Sequence, residues 1–246
     1  MYVGLQKTSL VNFPGRVAAT VFLPGCNLRC PFCHNGELAC AGISTGPVHQ
    51  DSEDQEYVLI EEVYAHLEKR AHLLGGLAIS GGEPFLSPAL TSLIEKAKKL
   101  KLAVKIDTNG TLPDRLAFIL DNPNLRPDMV AIDIKTNPDR YGELALEEKA
   151  GESLSRSLIQ SLDLLYNADS SVRVEYRTVL VPGLVGESEI RTIANLLPEN
   201  ADWELTPFVP GVCLDPSWNK IHPYGPEEIK RLLTIAKTLR QGARLR

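Results

Sequence analysis

Six short apolar runs, rich in β-branched residues, alternate along the 246-residue chain with longer stretches of helical period. Residues 17–22, 77–79, 103–106, 129–132, 172–179 and 203–205 read as strands. Residues 58–74, 90–100, 116–120, 154–165 and 190–197 carry apolar side chains at helical spacing. A last helix begins near Pro226, where proline suits the first turn, and runs to about Leu239. Strands that alternate with helices, with no break for a linker, predict one α/β domain over residues 1–246 with a mainly parallel sheet. Residues 36–55 are polar with scattered glycine and serine, and read as a loop, either a partner-docking lid or a plain disordered stretch.

An unusual motif follows or ends every predicted strand. The run Gly25-Cys26-Asn27-Leu28-Arg29-Cys30-Pro31-Phe32-Cys33 follows the first, and Ser80-Gly81-Gly82-Glu83-Pro84 the second. Asp107-Thr108-Asn109-Gly110 follows the third, and Asp133-Ile134-Lys135 ends the fourth. Arg177 lies at the end of the fifth, and Thr206-Pro207-Phe208 follows the sixth. In parallel barrels and in open α/β sheets alike, ligands bind at the carboxyl ends of the strands. The motifs are therefore expected on one face, as one site.

Cys26, Cys30 and Cys33 form a C-x3-C-x2-C pattern. Thiolates this close grip one small inorganic centre from one side, and no fourth thiolate stands at regular spacing. A [4Fe–4S] cube normally takes four cysteines, so three leave one iron open. An open position is what a catalytic metal keeps and a structural one closes. The alternative is a zinc site with His34, although the immediate neighbour of Cys33 is poorly placed to close a tetrahedron. Cys40 and Cys213 read as packing cysteines.

The other motifs each admit a plain reading. Gly81 and Gly82 form an ordinary strand-to-helix turn, or they let a ligand approach the backbone closely. Asp107 to Gly110 is a good turn sequence, or its acid binds a ligand or a cation. Asp133 and Lys135 share a strand face at i, i+2, where a buried charge is costly without a partner. They form a salt bridge or they meet a polar ligand.

The net charge of −5 gives no sign of a nucleic-acid surface. No run approaches the roughly 18 apolar residues of a membrane span, and the first residues lack the layout of a signal peptide. Five cysteines, three of them clustered, suit a metal site in a reducing compartment better than a disulfide framework. The expectation is a soluble cytosolic protein that contacts neither nucleic acid nor membrane.

Taken together, these residues resemble the radical S-adenosylmethionine (SAM) enzymes, and within them the glycyl-radical-enzyme activases. The chain is most similar to the short activating proteins of anaerobic ribonucleoside-triphosphate reductase. The resemblance is carried by Gly4 to Leu10 with Asn12-Phe13-Pro14-Gly15, by Gly25 to Asn35, by the three motifs from Ser80, Asp107 and Asp133, and by Cys213-Leu214-Asp215-Pro216. It implies a partial (β/α)6 TIM-like barrel with cluster and SAM at the carboxyl ends of the strands. It implies that Cys26, Cys30 and Cys33 hold three irons while the amino and carboxylate groups of SAM chelate the fourth. Phe32 would lie near the adenine, and Gly81, Gly82 and Glu83 would meet the methionyl ammonium. Asp133 and Lys135 would contact polar groups of SAM, with Arg177 lining the same pocket. Asp107, Thr108 and Asn109 fall in the motif that adds to this pocket, and Asp107 and Thr108 match positions that bind a monovalent cation in one branch of the family.

The implied chemistry is reductive cleavage of SAM to a 5′-deoxyadenosyl radical, which takes the α-hydrogen of one glycine in a large partner enzyme. The cluster and SAM carry that chemistry, so no catalytic side chain is expected. The electron would come from a flavodoxin or ferredoxin. Two departures favour the short reductase-activating type. Val209 stands where activases of pyruvate formate-lyase have a histidine, and the ferredoxin-like insert of some relatives is missing. The rivals are a radical SAM enzyme acting on a small molecule, as 7-carboxy-7-deazaguanine synthase does, an activase of the pyruvate formate-lyase type, and a metal-binding sensor module.

Overall fold

The computed structural model describes residues 1–41 and 56–246. One nine-stranded sheet runs through them. Its strands are β1 (Tyr2–Ser9), β2 (Ala18–Leu23), β3 (Glu56–Leu59), β4 (Gly76–Gly81), β5 (Ala103–Thr108), β6 (Met129–Asp133), β7 (Arg173–Leu180), β8 (Trp203–Pro207) and β9 (Ala243–Leu245). They lie in the order β3-β1-β2-β4-β5-β6-β7-β8-β9. From β2 to β9 every pairing is parallel, while β1 pairs antiparallel with both β2 and β3. The helices are α1 (Gly36–Cys40), α2 (Ile60–Arg70), α3 (Leu90–Lys99), α4 (Pro113–Asp121), α5 (Gly151–Tyr166), α6 (Glu187–Leu196) and α7 (Pro226–Leu239). The sheet is that of an open, partial TIM-like barrel, and all six strands expected from the sequence are parallel members of it.

The strands alternate in a way that explains both the core and the site. On β5, Val104 and Ile106 are fully buried in the main core, while Lys105 and Asp107 point the other way. On β7 and β8, Tyr176, Trp203 and Leu205 join that core, and Glu175, Arg177 and Glu204 lie on the opposite face. The helices cover the apolar face with leucine and isoleucine, such as Leu93 and Ile94 of α3 and Ile190 and Ile193 of α6. The indole N–H of Trp203 donates to Thr178 Oγ1 at 3.1 Å, so this large buried ring leaves no orphan donor. The charged face lines the barrel interior.

Before α3, three elements differ from the sequence reading. Residues 56–59 are an edge strand on β1, so the helix expected from residue 58 starts at Ile60. Leu59 is extended at φ −69 and ψ 147, and its N–H donates to Glu62 Oε1 at 3.1 Å, which fixes that start. The loop expected over 36–55 opens with α1, while residues 42–55 lie outside the described residues. The N-terminal block, read only as a motif, is β1, with Val3 and Leu5 buried at period two. Among the described residues no helix is long and apolar enough to cross a membrane.

Candidate active site

The cysteine loop leaves β2 and is held on three sides by backbone hydrogen bonds. Gly25 and Cys26 donate to the carbonyls of Leu38 and Ala39, at 2.9 and 3.0 Å, which ties the loop to α1. Arg29 donates to Leu144 O at 2.7 Å. Leu214 and Asp215 donate to the carbonyls of Cys33 and Pro31, both at 3.0 Å. The loop also presses on the end of β4, where Gly82 and Glu83 donate to Leu23 O and Gly25 O at 2.9 and 2.8 Å. That approach requires glycine. A Cβ on Gly82 would sit 2.1 Å from Gly25 O, and one on Gly81, whose φ is +122, 2.3 Å from backbone atoms of Leu23.

Cys26, Cys30 and Cys33 border one cavity of about 520 Å3. Its walls bring together Phe32, Gly81 and Gly82, Asp107 to Asn109, Asp133 and Lys135, with Thr206 to Val209 opposite. All five cysteines are free thiols. Burial raises the three thiols of the loop, Cys30 to about 12, so a metal must displace protons to bind there. Cys26 Sγ accepts from Leu28 N at 3.4 Å and from Asn109 Nδ2 at 3.8 Å. Such N–H donors stabilise a cluster's sulfur ligands and tune its potential. Among the described residues no three His, Cys, Asp or Glu side chains converge on one ion position. A cube takes each thiolate on a different iron, and three thiols bordering one cavity, with the His34 ring turned to Val209 O, fit that arrangement.

Asp133 and Lys135 both face this cavity and pair at 3.2 Å. Burial works to raise the Asp133 carboxyl, but Arg177 and then Lys135 hold it well below the usual carboxylate range. Arg177 Nε donates to Asp133 Oδ1 at 2.8 Å, and its Nη1 lies 3.4 Å from Asp107 Oδ1. Arg177 is thus a clamp behind the wall, not a wall residue of the main cavity as expected. Asp107 also pairs with Lys105, and against its burial these two cations hold its carboxyl low. The positive charge that a monovalent cation would bring to Asp107 is already present in Arg177 and Lys105.

Glu83 is likewise absent from the cavity walls and fully buried. Its Oε1 accepts from Phe85 N at 3.2 Å and Thr108 Oγ1 at 2.9 Å, and its Oε2 from Asn109 N at 2.7 Å. It braces the β4 turn against the β5 turn through these three bonds. Burial nonetheless pushes its carboxyl up to about 7.

Sequence reasoning missed several residues of the site. Asn27 accepts from Asn109 Nδ2 at 3.0 Å and donates to Thr111 Oγ1 at 2.7 Å, which links the cysteine loop to the β5 turn. His34, weighed from the sequence only as a zinc ligand, instead lies within hydrogen-bonding distance of Val209 O, at 2.7 Å, which draws the cysteine loop towards the segment after β8. The Tyr141 hydroxyl accepts from Lys135 N at 3.2 Å. Only Lys105 and Glu175 carried a usable signal, as charges at every second position of apolar strands.

The model of the radical SAM superfamily matches residues 20–197. A Methanocaldococcus jannaschii protein provisionally named a glycyl-radical enzyme activating enzyme is 30% identical over 235 residues, covering 95% of this chain and 90% of that one. The 7-carboxy-7-deazaguanine synthase of Methanopyrus kandleri is 27% identical over 70% of this chain and 73% of its own length. The pyruvate formate-lyase-activating enzyme of Clostridium pasteurianum is 27% identical over 84% and 79%. Among solved structures, that of TYW1 with a lysine-pyruvate adduct superposes with a TM-score of 0.57 at 18% identity, over 91% of this chain and 74% of that one, which speaks for the fold.

Proposed function

This chain belongs to the radical SAM superfamily, and on that footing we propose that it activates anaerobic ribonucleoside-triphosphate reductase by installing a glycyl radical on it. Its relatives make it an enzyme, a glycyl-radical-enzyme activating enzyme that uses one [4Fe–4S] cluster and SAM. The choice of reductase rests on the motifs around Asn12, Cys33 and Cys213 and on Val209. Bound together, the cluster and SAM supply one-electron cleavage of SAM and a carbon radical that takes hydrogen from glycine.

The observation that carries the reading is the shared cavity. Three free thiols, the exposed backbone of Gly81 and Gly82, and the Asp133–Lys135 pair border one space of about 520 Å3. Cys26, Cys30 and Cys33 would hold the cluster, leaving one iron open to SAM. The peptide groups of Gly81 and Gly82 would orient the methionyl end, held at the cavity wall by the hydrogen bonds of Gly82 and Glu83 to Leu23 O and Gly25 O. Phe32, buried and with its ring centroid 6.2 Å from that of Trp218, offers a firm apolar wall for the adenine. Lys135 and Asp133 would bind the polar groups of SAM, held in place by Arg177. Asn109 would steady Cys26, and Asp107 closes the floor. A flavodoxin or ferredoxin in the cytosol would deliver the electron, with residues 1–246 working as one radical SAM domain.

The test is anaerobic reconstitution with iron and sulfide, followed by dithionite, SAM and the reductase. Formation of 5′-deoxyadenosine and a glycyl-radical signal by electron paramagnetic resonance is expected. If no 5′-deoxyadenosine forms, the enzyme reading fails. If it forms without a radical on the reductase, that partner is wrong. The Methanopyrus kandleri relative favours a second reading, a small-molecule substrate. 5′-Deoxyadenosine formation that depends on an added small molecule, with no protein radical, would select it.

A further inference from the structure

The segment that follows β8 is strapped to the cysteine loop along its inner side. The His34 ring lies 2.7 Å from Val209 O, and Leu214 and Asp215 donate to the carbonyls of Cys33 and Pro31, both at 3.0 Å. Leu214 also packs against Gly36, where a Cβ would meet its side chain at 3.0 Å. Asn219 Oδ1 accepts from Gly211 N at 3.3 Å and from Cys213 N at 3.0 Å. The strap is thus held at several points, and the N–H groups of Gly211, Cys213, Leu214 and Asp215 are taken, while Pro210 has none. Its outer side is apolar. Val209 and Val212 are 61% and 69% exposed, and no residue from Thr206 to Leu214 is charged. Val209 is also a wall of the main cavity, so this apolar surface starts at the reacting end of the barrel, at the carboxyl ends of the strands.

We infer that the outer face of Val209 to Val212 docks the uncharged, apolar stretch that flanks the glycine in the partner enzyme. The inference rests on the activating-enzyme reading above. Three observations select this occupant. A glycine that gives up its hydrogen in the main cavity has to cross the cavity's rim, and Val209 stands on that rim, both wall and exposed. The lack of charge from Thr206 to Leu214 disfavours a charged segment, which would lose hydration there without gaining a partner. Because its N–H groups are occupied, the strap offers side chains and not a strand edge. Its fixed shape keeps the ordering cost of docking low. Scattered exposed valines would mean little, but these two belong to a pinned segment beside the cluster ligands.

The test is radical installation on anaerobic ribonucleoside-triphosphate reductase by the reconstituted chain with SAM and dithionite. Electron paramagnetic resonance reads the radical as the reductase concentration is raised. Val212→Asp should raise the half-saturating reductase concentration about tenfold or more, the worth of burying one valine. Its maximal rate, its melting temperature and its 5′-deoxyadenosine formation without reductase should stay at the wild-type level, because Val212 is exposed and absent from the cavity walls. Val212→Leu, which keeps the surface apolar, should dock as the wild type does. An unchanged half-saturating concentration in Val212→Asp overturns the inference and leaves the activating-enzyme reading standing. A Val212→Asp defect that appears only when flavodoxin replaces dithionite also overturns it, and assigns the surface to the electron donor. A wild-type chain that forms 5′-deoxyadenosine but no radical on the reductase overturns both the choice of reductase and this docking surface.

Discussion

Glu83 shows how far a residue's surroundings can move it from the role its motif suggests. Its two oxygens take three hydrogen bonds, and no water reaches it. With the carboxyl raised to about 7 against about 4.5 in the unfolded chain, both states are neutral below pH 4.5. Between pH 4.5 and 7 the unfolded chain ionises first, so stability falls as pH rises through that window. The shift corresponds to roughly 3 kcal/mol. Urea unfolding of the metal-free protein and of Glu83→Gln should show the difference between them shrinking by about that amount from pH 4.5 to pH 7. A difference independent of pH would mean that Glu83 is ionised throughout. Asp133 runs the opposite way, because Arg177 and Lys135 hold it low against its burial.

At the scale of elements, the site depends on the end of β4 lying flush against the loop that follows β2. The neighbours of Gly82 are backbone atoms that cannot swing aside. Gly82→Ala should therefore cost about 1–3 kcal/mol in stability, the usual range for overpacking. It should also lower the iron bound after reconstitution, since it displaces Gly25 and Cys26. Gly183→Ala is the control. Its φ is +84 but nothing lies within 4 Å of the new Cβ, so backbone strain appears without iron loss. Equal iron content in the two variants, measured by a chelator assay, would refute the coupling of β4 to the cysteine loop. The six strands read from the sequence were legible because a short apolar run rich in β-branched residues is a local property of sequence. β3 and β9 were not, since four and three residues carry little pattern and their pairing depends on the neighbouring edge.

For the molecule as a whole, the main cavity gathers residues from Cys26 to Leu214, contributed by the carboxyl ends of β4 to β8 and the segments that follow β2 and these five strands. A ligand bound there bridges most of the sheet and favours the folded state by mass action. SAM at 100 times its dissociation constant stabilises by about 2.7 kcal/mol. For a chain of this size that is a rise of roughly 5–10 °C in melting temperature. Calorimetry of the reconstituted protein should show this rise, and stripping iron with a chelator should abolish it. Cys30→Ala should not respond to SAM. A full response in that variant would refute the cysteine ligand set.

The sequence alone determined the alternation of strands and helices, the three-thiol ligand pattern and the placing of every motif at the carboxyl end of a strand. These are matters of spacing along a few residues, which strand and helix periods translate directly into position. Only the tertiary structure decided which charges face a ligand and which face each other. Arg177 and Asp133 are 44 positions apart, and Glu83 and Asn109 are 26 apart. Partners at such separations are set by strand order and by which face of each strand turns inward. Thus Glu83 braces two turns, Arg177 clamps Asp133 and Asp107, and Glu204, unremarkable in the sequence, is paired with Arg244 and Arg246 from the far end of the chain.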